Sequence, residues 1–436
     1  MYFSIPEIVE QVIYRLREAG GEVYLVGGCI RDQLLQREVH DYDLLTDLLI
    51  EDIIRIFPDS FSFRSHQTTV VLKERAFRIE ISSLQGSSLL ADLKQRDLTI
   101  NALAWNPVSQ EFFDPLQGRA DLASGLIRSY DWQRAVRNDS LRMLRAIRFQ
   151  AVLGFTLAPD ILKVIEKNKA SIASAAVERI REELYNILLS PGVKQAFGHL
   201  LNTGLLIYFL PELAACHDLE QNEFHLYDVF WHTIITTENI PPKKELRLAA
   251  LLHDLGKVLT VSTDEEGKRH FYGHAQASVK LALDIRLRLK LYDLDFTRVI
   301  TLIENHMYCY VPGETTDKAL RRLLNRLGRD GIDDFTALRK ADIIGTGHYT
   351  IDDLEREDEL HSRLKSLAEE AIPLAEKELD WSREDRKNFL RESGISGKEF
   401  AEVKRLLLEW LLDYPHLNQR ENIIKQAAYF TKLLLK

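Results

Sequence analysis

The stretch LVGGCIRDQLLQREVHDYDLLT, residues 25–46, decides how the first part of the chain folds. One apolar run ends at Gly27 and Gly28, and Asp41 and Asp43 lie one residue apart inside a second apolar run. Residues two apart in a strand point to the same face, so this spacing predicts paired carboxylates on one side of a strand. Such a pair repels itself unless a cation lies between the groups. The stretch therefore predicts a strand that carries a cation site.

Phosphate chemistry fits the same stretch. Oxygen-rich acidic sites suit Mg²⁺, which proteins hold through one or two carboxylates together with substrate phosphates. Glycines between a strand and a helix let backbone N–H groups approach a phosphate closely, and Arg31, beside Asp32, can add a charge-assisted contact. These are the parts of a phosphoryl or nucleotidyl transfer site. The alternative is a solvated edge strand that follows an ordinary glycine turn.

The composition is that of an ordinary globular protein. The 436 residues are enough for two or three domains, and contents of 45% hydrophobic and 28% charged residues are typical of soluble chains. Three scattered cysteines give neither a disulfide framework nor a zinc pattern. No apolar run has membrane-spanning length, and the first residues lack the pattern of a signal peptide. We therefore expect a cytoplasmic protein without a membrane partner.

Secondary-structure signals divide the chain into two parts. Four runs rich in β-branched and apolar residues predict strands: EVYLVGG, DYDLLT, TTVVLKE and AFRIEIS. After about residue 121 the strand signals thin out, and one helical pattern follows another. The run NDSLRMLRAIRFQAVLG predicts one helix, with Asp139 near its start and Gly154 at its end. The predicted fold class is α+β, a small N-terminal α/β domain followed by a long all-α body.

Five motifs occur in a fixed order: GGCIRDQLL…DYDLLT, RDLTINALAWNP, DPLQGRADLASGLIR, NDSLRMLRAIRF and ERIREEL. Their order and style resemble those of the class II tRNA nucleotidyltransferases, the CCA-adding family that includes the bacterial poly(A) polymerases. The resemblance covers roughly residues 20–190. It implies a polymerase-beta-like sheet in the first domain. It also implies an enzyme that extends the 3′ end of tRNA with CTP or ATP and uses no nucleic-acid template.

The resemblance implies a role for each matching residue. Asp41 and Asp43 would be catalytic residues that bind Mg²⁺, and Glu80 would be either a third carboxylate or a solvent-facing strand residue. The nucleotide-binding residues would be Gly27, Gly28, Arg31, Asp32, Arg96, Asp97, Asp139, Arg142, Arg145 and Arg148. Arg96 and Asp97 resemble the motif that recognises the ribose. The family's usual arginine pair is Gln95-Arg96 here, so the motif departs at its first position.

Asp139 and Arg142 resemble the pair that selects the base in this family. They are three apart on the predicted helix and would share a face. A carboxylate accepts and a guanidinium donates hydrogen bonds, so together they can imitate the edge of a partner base. The family motif usually begins Glu-Asp, and Asn138 departs from it. The alternative is an ordinary salt bridge between residues three apart on a helix.

Arginines are concentrated around this pair. A net charge of −9 argues against indiscriminate nucleic-acid binding, but a local basic face remains compatible with it. The arginines of the region are Arg128, Arg134, Arg137, Arg142, Arg145 and Arg148. Arginine makes bidentate contacts with phosphate, so we expect some of these side chains to face the triphosphate or the tRNA backbone.

The segment between the strand RIEIS and Arg96 is short, SLQGSSLLADLKQ. Family members that add the whole CCA sequence generally have a much longer, flexible loop here, and members without that loop typically add only CC. The resemblance therefore favours a CC-adding enzyme whose terminal A comes from another protein. The alternative is that a short loop still permits the addition of A.

Histidines and aspartates form a second constellation in DVFWHT, LLHDLGK, YGHAQAS, ENHMY and KADIIGTG. Imidazole and carboxylate ligands suit a divalent transition metal or Mg²⁺. The set resembles the HD superfamily of metal-dependent phosphohydrolases over roughly residues 225–350. The resemblance implies four metal ligands, His232, His253, Asp254 and Asp342, with His274 and His306 in auxiliary positions. His217 and His225 have no comparable match.

The resemblances together predict four domains: a nucleotidyltransferase catalytic domain (1–125), a helical neck with the nucleotide-selecting helix (126–210), an HD domain (211–370) and a helical tail (371–436). Asp114 and Gly118 would form a hinge-like motif before the neck, or simply a turn. The favoured function is the addition of CC, or of full CCA, to tRNA. The alternatives are a poly(A) polymerase, a hydrolase whose HD site is the working centre, and an RNA-binding protein without catalysis.

Overall fold

The computed structural model describes residues 3–58, 60–62, 69–74, 77–86, 88–370 and 372–435. The chain separates into two compact units, Met1–Pro211 and Glu212–Lys436. Within these described ranges, no helix is long and apolar enough to cross a membrane. The finer division into four domains stays a prediction.

The strands of the described residues are β1 (Val23–Val26), β2 (Asp41–Thr46), β3 (Phe61–Ser62), β4 (Thr69–Glu74), β5 (Phe77–Ser83), β6 (Ala104–Trp105), β7 (Phe112–Phe113), β8 (Leu126–Ile127), β9 (Thr156–Leu157), β10 (Ser262–Thr263) and β11 (Arg269–His270).

The α-helices up to the boundary between the units are α1 (Glu7–Glu18), α2 (Gly28–Leu34), α3 (Ile50–Ile56), α4 (Leu89–Leu93), α5 (Gly118–Ser124), α6 (Trp132–Asn138), α7 (Arg142–Leu153), α8 (Pro159–Asn168), α9 (Val177–Leu188), α10 (Val193–Asn202) and α11 (Pro211–Ala214). Those that follow are α12 (Val229–Glu238), α13 (Lys244–Leu252), α14 (Lys257–Thr260), α15 (His274–Leu289), α16 (Phe296–Asn305), α17 (Asp317–Leu327), α18 (Ile332–Gly345), α19 (Ile351–Glu369), α20 (Arg383–Ser393), α21 (Gly397–Asp413) and α22 (Arg420–Leu434).

A mixed seven-stranded sheet forms the centre of the first unit, in the order β3-β4-β5-β2-β1-β6-β7. β2 and β5 pair in parallel, and the other neighbours pair antiparallel. All four residues of β1 are buried, which explains its unbroken apolar run. The register places Asp43 opposite Val26 on β1 and opposite Glu80 on β5. The sheet therefore brings the glycine turn after β1 and both acidic strands to one region.

The predicted fold class is confirmed, because a head domain with a mixed sheet precedes a mostly helical body. The four predicted strand runs form β1, β2, β4 and β5. The body also contains two short ribbons, in which β8 pairs with β9 and β10 pairs with β11. Runs of two residues are too short to give a period in the sequence, so the prediction of an all-α body missed them.

The helix predicted over NDSLRMLRAIRFQAVLG begins later than expected. α7 starts at Arg142 and ends before Gly154, whose φ of 71° forms a left-handed cap. Asp139 instead follows α6 in an extended conformation, with φ −153° and ψ 107°. Its Oδ1 accepts a hydrogen bond from the Leu141 amide at 3.1 Å, and such local bonds compete with helical backbone. The prediction that Asp139 and Arg142 share a helix face is therefore wrong.

The second unit carries its histidine cluster on helices and the turns between them. His253 and Asp254 lie in the turn between α13 and α14. The C-terminal helices have an apolar core of their own, in which Val403, Leu407 and Leu411 are fully buried. This core explains the helical pattern of the charged tail.

Asp114 and Gly118 form a compact turn at the start of α5. The Asp114 carboxylate accepts hydrogen bonds from the amides of Gly118, at 2.6 Å, and Arg119, at 3.0 Å. A Cβ atom added to Gly118 would overlap the carbonyl oxygen of Thr99 and lie 3.0 Å from a methyl carbon of Leu103. Glycine is required here because two backbone segments approach closely. The structural reading of this motif has direct support, and a hinge role stays a prediction.

Substitution Gly118→Ala should destabilise the first unit by about 1–3 kcal/mol, because the methyl group must displace backbone rather than a flexible side chain. Gly397→Ala is the matched control, since an added Cβ there meets no atom within 4 Å. Thermal unfolding followed by calorimetry measures both variants. An unchanged midpoint for Gly118→Ala would contradict the close approach.

Candidate active site and metal centre

A cavity of about 610 Å³ in the first unit, which we call the active-site cavity, is lined by carboxylates, three of which lie on strands. Asp41 and Asp43 come from β2, and Glu80 comes from the neighbouring strand β5. Asp41 is exposed, whereas Asp43 is only half-exposed. Glu80 accepts an ion-pair contact from Arg78 at 2.6 Å, so part of its charge is already compensated. The lining is strongly polar and includes the predicted nucleotide-binding residues.

The environment of Asp43 disfavours its charged form. Removal of its carboxylate from water, together with the charges of Glu80 and Asp41, raises its pKa to about 6, and Arg96 acts in the opposite direction. A divalent cation at this position would relieve the repulsion between the carboxylates. The oxygen donors of Asp41 and Asp43 therefore fit a divalent metal.

The glycine turn lies directly beside these carboxylates. Gly27 has a φ of 73°, a conformation that favours glycine. A Cβ atom at Gly27 would lie 2.9 Å from Arg96 Nη1 and 3.2 Å from Asp43 Oδ2. Gly28 then begins α2. Glycine is thus needed at Gly27, where the backbone approaches charged side chains closely, whereas an added Cβ at Gly28 would make only an ordinary contact with Arg31.

Arg31 and Asp32 bind each other. Arg31 donates to Asp32 at 2.9 and 2.7 Å through Nε and Nη2, and to Asn101 Oδ1 at 2.6 Å through Nη1. The Arg31 guanidinium also lies over the ring of Phe149, 4.8 Å from its centroid. Both residues line the active-site cavity, but the Arg31 donors are already engaged. Contact with a phosphate would therefore require shared or exchanged hydrogen bonds.

Buried ion pairs form the helical side of the cavity. Arg145 contacts Asp97 at 2.8 Å, and Arg148 contacts Glu183 at 2.9 Å. Burial tends to raise the pKa of Asp97, but Arg145 and the Asn101 hydrogen bond outweigh it and lower that pKa well below its usual value. Arg145 and Arg148 are therefore structural as well as cavity-lining groups.

Asp139 and Arg142 both line the active-site cavity, but they do not form the salt bridge that the sequence allowed. Asp139 pairs with Arg179 of α9, with Nη2 2.7 Å from Oδ2. Arg142 donates through Nη1 to the Gln95 carbonyl at 3.0 Å. Each member of the predicted base-selecting pair is thus held by a group outside the pair.

The short segment that follows β5 is folded onto the arginine-rich helices. Ser88 caps α4, and the Gln95 side chain donates to the Gln85 carbonyl at 3.1 Å. At the end of the segment, the carbonyl of Lys94 accepts from Arg134 at 3.0 Å, as that of Gln95 does from Arg142. Backbone carbonyls of this segment therefore help to orient the arginines.

The other arginines of the predicted basic face have different surroundings. Arg128 contacts Asp121 at 3.1 Å, so its charge is largely compensated. Arg137 is exposed and lines a second cavity of about 400 Å³, which shares Asp139 and Arg179 with the active-site cavity.

Sequence reasoning missed several residues that line or brace the active-site cavity: Asn101, Phe149, Arg179 and Glu183. All four lie within motifs of the sequence analysis. Asn101 belongs to RDLTINALAWNP, Phe149 to NDSLRMLRAIRF, and Arg179 and Glu183 to ERIREEL. The motifs indicated the right segments. The partners of individual side chains depend on packing between elements distant in sequence, such as α7 and α9 for Arg148 and Glu183, which no local pattern reveals.

The four predicted HD ligands come together in the second unit. His232 Nε2 lies 2.9 Å from Asp342 Oδ1 and 3.2 Å from Asp254 Oδ2. His253 Nε2 lies 3.3 Å from Asp254 Oδ2 and 3.2 Å from Asp342 Oδ1. Ligand atoms of all four residues lie within 4.8 Å of one another. His232, His253 and Asp254 are buried, and Asp342 is partly exposed.

His274 and His306 approach the other oxygen of Asp254. His274 Nε2 lies 3.3 Å from Asp254 Oδ1, and His306 Nε2 lies 3.7 Å from it. Asp254 thus belongs to two groups of potential ligand atoms, one around each carboxylate oxygen. Lys257 contacts Asp254 Oδ2 at 2.6 Å. The auxiliary histidines are therefore placed to complete a second site next to the first.

The chemistry of the donors fits divalent metal ions. Burial tends to lower the pKa of His253, but Asp254 and Asp342 outweigh it and raise that pKa to about 10. A metal ion could take the place of the proton that these carboxylates favour. His225, which sequence reasoning left aside, also approaches the cluster, with its ring 5.1 Å from that of His232. Burial lowers the pKa of His225 to about 3, so this imidazole stays neutral.

Three family descriptions match parts of the chain. Residues 23–128 match the Poly A polymerase head domain, and residues 154–216 match a probable RNA and SrmB-binding site of polymerase A. Residues 225–327 match the HD domain, a range that ends before Asp342.

Two named relatives are similar in sequence. A CC-adding tRNA nucleotidyltransferase from Halalkalibacterium halodurans is 32% identical over 260 residues, which cover 56% of this chain and 69% of the relative. A CCA-adding enzyme from Geobacillus stearothermophilus is 36% identical over 220 residues, which cover 47% of this chain and 54% of the relative. The chain thus spans about two thirds of one relative and about half of the other.

A solved structure shares the fold. The CCA-adding enzyme of Bacillus stearothermophilus, crystallised in complex with CTP, superimposes with a TM-score of 0.71 at 24% identity. The match covers 98% of this chain and 97% of that structure. With the ordered motifs, the head-domain match and 32% identity to the CC-adding relative, this chain belongs to the family of tRNA nucleotidyltransferases.

Proposed function

We propose that the protein adds cytidines, CC or full CCA, to the 3′ end of tRNA without a nucleic-acid template. One observation carries the proposal: the acidic pair Asp41 and Asp43 and the candidate base-reading pair Asp139 and Arg142 line the same cavity of about 610 Å³. A nucleotide bound there would have its base and its phosphates within reach of different walls. The names of the relatives support both CC and CCA addition.

The carboxylates and the glycine turn would act on the phosphates. Asp41 and Asp43 would hold Mg²⁺, which would activate the tRNA 3′-hydroxyl and stabilise the departing pyrophosphate. The backbone at Gly27 and Gly28 leaves room for the triphosphate beside these carboxylates. Arg96, whose Nη1 lies close to this turn, can orient the sugar and phosphates.

The base would be read by Asp139 and Arg142. The Asp139 carboxylate accepts hydrogen bonds and can receive the cytosine amino group. The Arg142 guanidinium donates and can reach the acceptor atoms of the same edge. Because the side chains come from different structural elements, their separation is set by tertiary contacts and not by helix periodicity.

The short segment after β5 supports the addition of CC in preference to CCA. The carbonyl of Gln95 binds Arg142, and the Gln95 side chain closes the segment onto Gln85. These hydrogen bonds restrain Arg142. A change of the selected nucleotide from CTP to ATP would need this side chain to move. We therefore favour two additions of C, with the terminal A added by another enzyme.

The histidine cluster supports a second candidate function, a metal-dependent phosphohydrolase. The observation that favours it is the position of Asp254, whose two oxygens face two groups of ligand atoms. Two adjacent divalent ions can activate water and stabilise the leaving oxygen of a phosphoester. His274 also lines a cavity of about 570 Å³ together with Tyr308 and Arg326, so the cluster has an accessible side.

A nucleotide-incorporation assay tests the main proposal. It uses purified protein, tRNA ending at the discriminator base, and CTP and ATP singly or mixed. CTP alone should give two additions, and ATP should add nothing afterwards. Product length is read at single-nucleotide resolution. Full CCA from both nucleotides would contradict the CC preference and keep the family activity, and long A tails would indicate a poly(A) polymerase.

Substitutions Asp41→Ala and Asp43→Asn should each abolish incorporation, because the metal-binding carboxylate pair is lost, while tRNA binding is retained. Single-turnover incorporation and filter binding of tRNA measure the two properties. Asp160→Ala is the control, an acidic residue of α8 that does not line the active-site cavity. Normal incorporation by Asp41→Ala would refute the proposed metal site.

Substitution His274→Ala should remove about one bound Co²⁺ per chain, and Asp254→Ala about two, because Asp254 belongs to both ligand groups. Equilibrium dialysis with elemental analysis gives the stoichiometry, and hydrolysis of bis(p-nitrophenyl) phosphate gives the activity. The exposed His348 provides the control His348→Ala. Unchanged metal content in Asp254→Ala would contradict the metal centre, and metal binding without hydrolysis would make it structural.

A further inference from the structure

The shortest contact of the Asp139 carboxylate is with Arg179, a residue of the ERIREEL motif to which the proposed mechanism gives no role. Arg179 lies in the first turn of α9. Its Nη2 donates to Asp139 Oδ2 at 2.7 Å, and its Nη1 lies 3.4 Å from Oδ1. Both side chains line the active-site cavity and the adjoining cavity of about 400 Å³. The ion pair therefore forms part of the wall beside the expected position of the base.

Two groups hold the Asp139 carboxylate, and a different group holds the Arg142 guanidinium. The Leu141 amide donates to Asp139 Oδ1 at 3.1 Å, and Arg179 binds the carboxylate from α9. Arg142 is anchored separately on the Gln95 carbonyl. The two base-reading groups thus remain apart, although they are only three residues apart in sequence.

Without Arg179, Arg142 is a competing cation for Asp139, because the two side chains line the same cavity and already attract each other. Burial lowers the pKa of the Arg142 guanidinium, while Asp97 and Asp139 act in the opposite direction, so the attraction between Asp139 and Arg142 already exists. A direct ion pair between them would engage the acceptor and the donor that a base must meet. Arg179 holds the Asp139 carboxylate from α9 instead, and a carboxylate with about four acceptor positions can still accept a further hydrogen bond from a base.

We propose that Arg179 is a positioning residue for base selection, an inference that rests on the proposed function. It holds the Asp139 carboxylate away from Arg142, so that one acceptor and one donor stay available to the incoming nucleotide. Cytosine and uracil differ in the donors and acceptors of this edge, since cytosine offers an amino group where uracil offers a carbonyl oxygen. A fixed carboxylate can distinguish them, whereas a carboxylate collapsed onto Arg142 cannot.

The test compares CTP with UTP and ATP on wild type, Arg179→Ala and Arg179→Lys. The ratio of kcat/KM for CTP over UTP should fall by about tenfold or more in Arg179→Ala, mainly through a higher KM for CTP. Arg179→Lys should recover part of the ratio, because lysine keeps the charge and loses the bidentate geometry. The KM for tRNA should not change, a result that general damage to the fold would not give.

Arg181→Ala is the matched control, because Arg181 lies on the same helix, contacts Glu182 at 2.9 Å and does not line the active-site cavity. The Arg179 side chain is 45% exposed, and exposed ion pairs contribute little to stability, so Arg179→Ala should fold normally. Circular dichroism and the thermal midpoint check this.

A CTP preference in Arg179→Ala within about twofold of the wild-type value would overturn the inference. Absence of incorporation by wild type is a failure of the proposed function and not of the inference. In that case the affinities of wild type and Arg179→Ala for CTP and UTP are measured by calorimetry. A preference for CTP that is present in wild type and lost in Arg179→Ala supports the positioning role. An equal preference in both proteins, or none in wild type, overturns it.

Discussion

Charge compensation inside the active-site cavity is the constraint on which the first unit depends. Arg145 against Asp97 and Arg148 against Glu183 place several formal charges in surroundings with little water, and each is tolerated because it has a partner. On the opposite wall, burial and the neighbouring carboxylates of Glu80 and Asp41 raise the pKa of Asp43 to about 6. The charges of the helical side are therefore paired within the protein, and the carboxylates of the opposite side fit a divalent cation.

In the second unit, the buried Asp254 carboxylate is surrounded by side chains of a different kind. Around Asp254, buried imidazoles take the place of guanidinium groups, and their nitrogen atoms lie at distances from the carboxylates that suit either shared protons or metal ions. Carboxylates alone, as on β2, suit hard cations with oxygen ligands, whereas mixed nitrogen and oxygen donors suit transition metals. Each unit therefore carries its own acidic centre, and the two centres differ in the cation that their donors favour.

In the proposed mechanism, base selection would depend on how side chains are restrained and not only on which side chains are present. Asp139 and Arg142 offer an acceptor and a donor, and either group could be lost to the other through a direct ion pair. Contacts from α9 and from the segment after β5 keep them separate. The family resemblance implies that the same segment is shorter than in enzymes that add CCA. Under the proposed function, specificity and loop length would be connected through the Gln95 carbonyl, which binds Arg142.

The sequence by itself determined the fold class, the strands β1, β2, β4 and β5, and the segments that meet in both sites, because periodicity and ordered motifs are local properties. It misplaced Asp139 on the helix of Arg142, since a side-chain bond to the Leu141 amide ends the helical register there. It gave no sign that Arg179 binds Asp139 or that Asp254 faces two groups of ligands. Asp139 and Arg179 are 40 positions apart and Asp254 and His306 are 52 positions apart, so only packing between distant helices decides these contacts.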